Sequence, residues 1–172
     1  MAGSTSAPPD DVPRPVERTI ASIAEQVEAI DAIVDRARSR LRVFDVDLSQ
    51  GGWHTADRAE RLVAFLRRAH GPRVEVIVHD TRWLAQSCPR LITVLRLYGH
   101  AITVYRTGSE ARNAMDPLVI ADDRHFLHRF HVDGPRAALA FDSPIAARPL
   151  VARFEEIWAT GEPGLSGTVL GL

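Results

Sequence analysis

The sequence predicts an α/β fold built on a mixed sheet, in which a parallel β-α-β-α-β half is followed by an antiparallel meander. Helices are expected to flank this sheet, and one extra helix is expected to precede it. In the first half, apolar strand patterns alternate with segments of helical period, and strands joined through helices are parallel. In the second half, three short apolar runs are separated only by tight turns, which favours antiparallel pairing.

The first 40 residues contain a predicted tail and a predicted helix. Residues 1–15 hold four prolines and few large apolar side chains, which is typical of a disordered tail and not of a signal peptide or a membrane anchor. Residues 16–40 predict one amphipathic helix, because apolar side chains recur at helical spacing with acidic residues mainly between them. These apolar positions include Ile20, Ile23, Ala24, Val27, Ile30, Val34 and Ala37.

The α/β domain itself is predicted over residues 41–161, with a second tail at 162–172. Alternating or continuous apolar runs predict its strands at 41–48, 73–80, 101–108, 117–122, 125–131 and 137–142. Helices are expected from Thr55 to Arg68, around Pro89, and from about Pro144 to Ala159. Thr55 is a typical N-cap, and a proline suits the first helical turn.

Composition excludes several classes of function. All 21 basic residues are arginine, so lysine Schiff bases and lysine-dependent phosphate motifs are excluded. The net charge of −1 does not favour nucleic acid or an anionic membrane as a partner. The single cysteine, Cys88, permits no intramolecular disulfide, which favours a reducing cytoplasm. No apolar run reaches transmembrane length, and no cofactor or metal is expected.

The stretch 121-ADDRHFLHRFHVDG-134 places His125, His128 and His131 at a spacing of three. In a strand, side chains alternate between faces, so His125 and His131 would lie on one face and His128 on the other. The three cannot then hold one metal ion, and ordinary surface or core-edge histidines are favoured. A phosphodiesterase with a rearranged site remains an alternative if His125 or His128 lies beside a carboxylate in a cleft.

The stretch 43-VFDVDLS-49 places Asp45 and Asp47 at the end of the first strand of the predicted domain, where paired carboxylates could hold magnesium. It resembles the first motif of haloacid-dehalogenase-type phosphatases, and 121-ADD-123 is similar to their final acidic motif. The resemblance implies a magnesium-dependent phosphatase as an alternative function. Those enzymes also use a lysine, which this chain lacks. Strand-end aspartates that cap or face solvent are the competing interpretation.

Other charged residues have simpler interpretations. Asp47, Asp80 and Arg106 follow or end the parallel strands, where ligand sites of α/β sheets gather, although an ion-pair network is favoured there. A set of arginines at the end of the first helix suits its dipole better than a nucleic-acid surface, since no aromatic side chains lie among them. These are Arg36, Arg38, Arg40 and Arg42.

The order of elements from about Val34 to Gly161 resembles a single phospholipase D-type domain. The resemblance is carried by the hairpin 117-PLVIADDRHFLHR-129 and by the closing helix 148-RPLVARFEEIWATG-161. It implies the fold of that superfamily, whose motif is His-x-Lys-x4-Asp. In the motif, the histidine attacks phosphorus, the lysine holds phosphate oxygens and the aspartate orients a histidine.

This chain departs from the motif in either register. With Asp122 as its aspartate, Met115 and Pro117 stand at the histidine and lysine positions. With Asp123, they are Asp116 and Leu118. In neither register does the chain have a histidine to attack phosphorus, and proline or leucine at the lysine position offers no donor for a phosphate oxygen. The chain therefore resembles a bacterial group of uncharacterised single-domain members without the motif, which share a helix start like 89-PRL-91, and a protein without enzymatic activity is favoured.

The resemblance also implies how such a domain is used. Single-domain members of the superfamily pair about a two-fold axis, so a homodimer is expected. We expect a binding or assembly module, whose retained pocket could hold a small anionic molecule through the arginine fork. The residues expected to line this pocket are Arg112, Asn113, Asp116, Asp122 and Arg124.

Overall fold

A computed structural model describes residues 16–165 as one mixed sheet with helices on both faces. The strands are β1 (Val16–Ile20), β2 (Arg40–Asp45), β3 (Arg73–Val78), β4 (Ile102–Arg106), β5 (Leu118–Ala121), β6 (His125–Arg129), β7 (Ala137–Phe141) and β8 (Glu162–Pro163). Their order across the sheet is β1-β7-β6-β5-β2-β3-β4-β8. β2, β3 and β4 are parallel, whereas β5, β6 and β7 pair antiparallel. The predicted fold class is confirmed.

The helices are α1 (Ile23–Arg36), α2 (Ala56–Arg68), α3 (Arg82–Ser87), α4 (Pro89–Leu97) and α5 (Pro144–Ala159), with a short 3-10 turn at Ser109–Ala111. One face of the sheet packs on α1, α2 and α4, and the other packs on α5. Phe65 is fully buried on the first face, and Phe154 is buried on the second. Within residues 16–165, no helix is both long enough and apolar enough to cross a membrane.

The prediction of one helix over residues 16–40 was wrong at both ends. Residues 16–20 form β1, which pairs antiparallel with β7 and ends one edge of the sheet. The helix begins only at Ile23, because Ser22 Oγ accepts a hydrogen bond from Glu25 N at 3.2 Å and Glu25 Oε2 accepts one from Ala21 N at 2.9 Å. It ends at Arg36, and the chain enters β2 at residue 40.

The predicted tail at 162–172 was wrong at its start. Glu162 and Pro163 pair with Arg106 and Tyr105, so β8 ends the other edge of the sheet. α5 leads the chain to this edge, where the ring of Trp158 stacks on Tyr105 with centroids 4.4 Å apart. Residues 1–15 and 166–172 of the two predicted tails lie outside the described residues.

A buried arginine joins α1 to α2. Arg58 is fully buried, and its Nε donates to Asp31 Oδ1 at 2.6 Å. Its Nη2 donates to the carbonyl oxygen of Val27 at 3.1 Å, and its guanidinium lies 4.6 Å from the ring centroid of Trp53. A buried charge needs such partners, since water is not available to solvate it. The first layer of the fold is therefore fixed by a charged contact as well as by apolar packing.

Candidate functional site

The sheet has two polar edges at opposite ends of its parallel strands. The carboxyl edge comprises residues 45–51, 79–82, 106–117 and 128–134, which follow β2, β3, β4 and β6 or precede β5. The amino edge comprises residues 35–40, 122–125 and 142. Because β5 runs antiparallel to β2, its first residue, Leu118, pairs with Phe44, and its last residue, Ala121, pairs with Leu41. The start and the end of β5 thus lie at different edges.

The five residues predicted to line one ligand pocket are divided between these edges. Arg112, Asn113 and Asp116 lie at the carboxyl edge, whereas Asp122 and Arg124 lie at the amino edge. Pro117 and the four residues of β5 separate Asp116 from Asp122, and β5 alone spans roughly 13 Å at about 3.3 Å per residue. The expectation of one pocket is therefore corrected, and ligand binding by either group stays a prediction.

Asp122 closes the entry to β2. Its carboxylate accepts hydrogen bonds from the backbone N–H groups of Arg38 (2.7 Å), Ser39 (2.9 Å) and Arg40 (3.0 Å). Burial alone would raise the pKa of Asp122, but these donors to its charged form hold the pKa below its usual value. Its φ of 52° is left-handed, which aspartate tolerates better than most residues. This side chain fixes the backbone and leaves little acceptor capacity for a ligand.

Asp116 is held between β6 and α5. Arg153 reaches both of its oxygens, with Nε 2.6 Å from Oδ2, and His128 Nε2 lies 3.0 Å from Oδ2. Burial raises the pKa of Asp116, but the hydrogen bonds from Arg153 and His128 outweigh it and lower the pKa below its usual value. Asp116 is thus an ionised partner of two side chains of the same chain.

Arg129 fills the space beside the motif positions. It is 5% exposed, and its guanidinium donates to Gln50 Oε1 and the Gly134 carbonyl at 2.6 Å each, and to the Val132 carbonyl at 2.5 Å. With Pro117 and other residues, it lines a cavity of about 20 Å³, room for about one water molecule. The sequence did not single out Arg129, because one arginine ending a strand pattern is usually solvated.

The carboxylates of the predicted magnesium site serve the turn after β2. Asp45 Oδ1 accepts from Val46 N at 2.6 Å, and Asp47 Oδ1 accepts from Ser49 N at 2.9 Å. Burial raises the pKa of Asp45 to about 6, against a smaller opposing effect of the Val46 N–H. Across residues 16–165, no group of three or more His, Cys, Asp or Glu side chains could hold a metal ion.

The three clustered histidines have separate partners. His125 is buried, and its Nδ1 accepts a hydrogen bond from Asp142 N at 3.1 Å. His128 lies on the opposite face of β6, against Asp116. His131 follows β6, and its Nδ1 accepts from Asp133 N at 3.1 Å. The prediction that His125 and His131 lie on the same face of one strand was wrong, because the strand ends at residue 129.

The polar cluster considered for Asp47, Asp80 and Arg106 does not form. Asp80 contacts Arg82, and Arg106 Nη2 lies 3.2 Å from Glu162 Oε2, so each charge has a nearer partner. The hydrogen bonds from Arg82 lower the pKa of Asp80 to about 2.

Sequence reasoning also missed His79, which is buried with Nδ1 2.6 Å from Thr107 Oγ1 and Nε2 2.6 Å from the Ala114 carbonyl oxygen.

A polar depression lies at the amino edge of the sheet. It has a volume of about 520 Å³ and lies between the end of α1, the β5–β6 turn and the turn after β7. Arg36, Arg38, Arg124, His125 and Asp142 contribute to its lining. Arg36 and Arg38 had been interpreted from the sequence as a solvated helix end.

Solved structures similar to this chain include a member of the phospholipase D family. Nuc from Salmonella typhimurium, a phospholipase D family member, matches with a TM-score of 0.63 at 15% identity, over 88% of this chain and 99% of that one. NucT from Helicobacter pylori matches at 0.60 and 13%, over 87% and 99%. TrmBL2, an archaeal chromatin protein with a novel mode of DNA binding, matches at 0.65 and 11%, over 91% and 56%. The chain therefore has a phospholipase D-like fold.

Within that fold, the family is defined by sequence. The chain belongs to the domain of unknown function DUF7931, whose family model matches residues 22–166. No curated protein sequence matches the chain. The matched range covers β2 to β8 and all five described helices.

Proposed function

We propose that this protein is a catalytically inactive phospholipase D-like domain that acts as a binding or assembly module. The observation that carries the proposal is the state of the carboxyl edge. With Asp122 as the motif aspartate, Met115 and Pro117 stand at the positions of its nucleophile and its phosphate-binding lysine, and with Asp123 these are Asp116 and Leu118. The nearby cation, Arg129, has its guanidinium bonded to Gln50 and to two backbone carbonyls.

Phosphodiester hydrolysis needs more than such an edge supplies. A nucleophile must reach phosphorus, and fixed donors must hold the oxygens on which charge develops. Methionine and proline offer neither an attacking atom of the required basicity nor a hydrogen-bond donor. Arg153, at the same edge, is bonded to Asp116. These pairings argue against catalysis at the motif positions.

Assembly as a homodimer is part of the proposal. Nuc and NucT are covered over 99% of their chains, so this chain has the extent of one such domain. Phe130 is 49% exposed at the carboxyl edge, directly after β6, and offers an apolar contact to a second copy.

The buried Cys88 thiol, whose pKa is raised by burial to about 11, suits a reducing cytoplasm. With a net charge of −1, a small anion is favoured over nucleic acid as a ligand.

The proposal is tested by assaying the purified protein for hydrolysis and for mass in solution. We expect no cleavage of bis(p-nitrophenyl) phosphate above the buffer rate, with magnesium or with EDTA. Light scattering coupled to size exclusion should give twice the chain mass, and Phe130→Asp should shift it toward the monomer. Reproducible cleavage would contradict the inactive assignment, and a wild-type monomer would contradict the assembly role.

One observation favours a second candidate, the phosphodiesterase with a rearranged site. His128 Nε2 lies 3.0 Å from Asp116 Oδ2, which is the geometry of an oriented general base. If cleavage is found, His128→Gln should abolish it under this candidate. Under the magnesium-phosphatase alternative, Asp45→Asn should abolish a metal-dependent cleavage that His128→Gln leaves intact. The two substitutions therefore separate the alternatives.

A further inference from the structure

Three carboxylates line the depression at the amino edge, and their partners decide which charges remain for a ligand. Each of its three carboxylates already has a partner: Asp35 pairs with Arg61, Asp122 with backbone N–H groups, and Asp142 with Arg124 at 3.8 Å. The depression thus contains no carboxylate that lacks a partner.

Two cations at the same depression remain without a carboxylate. Among residues 16–165, the guanidinium of Arg38 contacts no acidic side chain. Arg36 donates one hydrogen bond to the carbonyl of Ala32 at 3.0 Å, and its guanidinium lies 4.2 Å above the ring of Phe141. That stacking restricts the side chain while leaving most of its N–H donors unused. Two positive charges are therefore available to a ligand.

His125 adds a buried donor aimed at the same space. Its side chain is 7% exposed, and its Nδ1 accepts from Asp142 N, so the proton of the neutral ring lies on Nε2. Burial lowers the pKa of His125, against the opposing effects of Asp142 and Asp122, which keeps the ring neutral near pH 7. Asp142 Oδ1 lies 3.8 Å from Nε2, beyond hydrogen-bond distance. The Nε2–H is thus free to donate into the depression.

We propose that this amino-edge depression binds the phosphate group of a small soluble molecule through Arg36, Arg38 and the Nε2–H of His125. A phosphate monoester carries up to two negative charges, which match the two arginines, whereas a carboxylate carries one. Arginine N–H groups bind phosphate oxygens in a two-point geometry. The inference rests on the proposed function in that the domain binds instead of hydrolysing.

The volume supports a ligand larger than the phosphate alone. Small-molecule sites are typically about 300–1,000 Å³, and this depression has about 520 Å³. Arg124 lies on its rim, where it remains the partner of Asp142 at 3.8 Å. The site is also separate from the motif positions, because β5 places Asp122 and Asp116 at opposite edges.

The test is calorimetric titration of the purified full chain with inorganic phosphate and with AMP, in chloride buffer of low ionic strength at pH 7.5. Arg36→Gln combined with Arg38→Gln should weaken binding at least tenfold, because both guanidinium groups assigned to the phosphate are lost. Arg90→Gln is the matched control, since Arg90 is an exposed arginine on α4, and it should change the affinity less than twofold. Nitrogen-detected NMR of the imidazoles should show the His125 Nε2 signal moving on titration while the His128 signals stay unchanged.

The outcomes distinguish the ligand site from the lack of catalysis. Binding of either probe that the double variant loses supports the inference, and tighter binding of AMP places the organic part in the depression as well. Absence of binding by both probes, equal binding by the double variant, or equally tight binding of acetate would overturn it. Cleavage of bis(p-nitrophenyl) phosphate, measured on the same samples, would overturn the inactive assignment alone.

Discussion

The two edges of the sheet carry similar residues but use them differently. At the carboxyl edge, Arg129 and Arg153 are bonded to groups of the same chain, and Asp116 is shared by two partners. At the amino edge, the carboxylate of Asp122 is saturated by backbone N–H groups while Arg38 contacts no carboxylate among the described residues. At the carboxyl edge, the two arginines beside the motif positions are therefore bonded within the chain. At the amino edge, Arg36 and Arg38 line a depression and contact no carboxylate among the described residues.

The largest expected change in stability is at the carboxyl edge. Arg129→Met keeps the length of the side chain but removes the donors to Gln50, Val132 and Gly134. We expect the free energy of unfolding to fall by about 3 kcal/mol, because buried acceptors lose their charged partner. Urea unfolding followed by circular dichroism measures it. A loss below about 1 kcal/mol would show that the 132–134 loop does not depend on this guanidinium.

A smaller loss of stability is expected when the Asp122 carboxylate at the amino edge is removed. Asp122→Ala removes the acceptor for three backbone N–H groups and should cost about 2 kcal/mol at pH 7. The folded pKa of Asp122 is lowered, so its contribution is present above pH 4, near the unfolded pKa, and is lost as the pH falls through the folded pKa. The difference from wild type should therefore shrink as the pH falls below about 4. Asp122→Asn, which keeps one acceptor oxygen, should lose less than Asp122→Ala.

Substitution of Asp45 is expected to raise the free energy of unfolding, whereas substitution of Asp122 lowers it. The folded pKa of Asp45, about 6, lies above the unfolded value, so the fold favours the protonated form and loses stability as the pH rises from about 4 to about 6. Asp45→Asn removes this penalty and should raise the free energy of unfolding by about 1–2 kcal/mol at pH 8. The gain should disappear below about pH 4. Urea unfolding at both pH values provides the comparison, and a loss at pH 8 would mean that the carboxylate stabilises the turn.

The smallest expected change in stability is at Arg38, whose guanidinium we expect to serve ligand binding and not the fold. Arg38→Gln should change the free energy of unfolding by less than about 0.5 kcal/mol, because an exposed arginine without a carboxylate partner contributes little to stability. The same variant should weaken phosphate binding. Thermal unfolding with and without inorganic phosphate measures both effects. A large loss of stability without phosphate would make Arg38 a structural residue and weaken the contrast.

The sheet was predictable and the first helix was only partly so. The period of two in 73-RVEVIVHD-80 and the tight turns of the meander decide strand pairing directly, since the buried face must alternate. The run from residue 16 instead continues at helical spacing into α1 and hides β1. The boundary signal was present in Ser22-Ile23-Ala24-Glu25, which has the spacing of a capping box. β8 gave no such signal, because its two residues pair only through their backbone with β4.

The site was less predictable because motif spacing along the chain is not distance in the fold. Asp116 and Asp122 are six residues apart, yet a strand between them places them at opposite edges. Arg129 looks like an ordinary strand-end arginine until the loop at 132–134 turns its carbonyls toward it. The amino-edge depression joins residues from α1, the β5–β6 turn and the segment after β7. Such long-range contacts leave no local pattern.

The edges of the sheet also govern how the protein meets other copies of itself when it is concentrated. An outer strand with free backbone groups can template the addition of further strands and lead to aggregation. Here β1 presents the charged residues Glu17 and Arg18, both exposed, and β8 is only two residues long and contains Pro163, which has no N–H to offer. Among the described strands, both outer strands thus resist ribbon-like stacking, so self-association is directed to faces and loops.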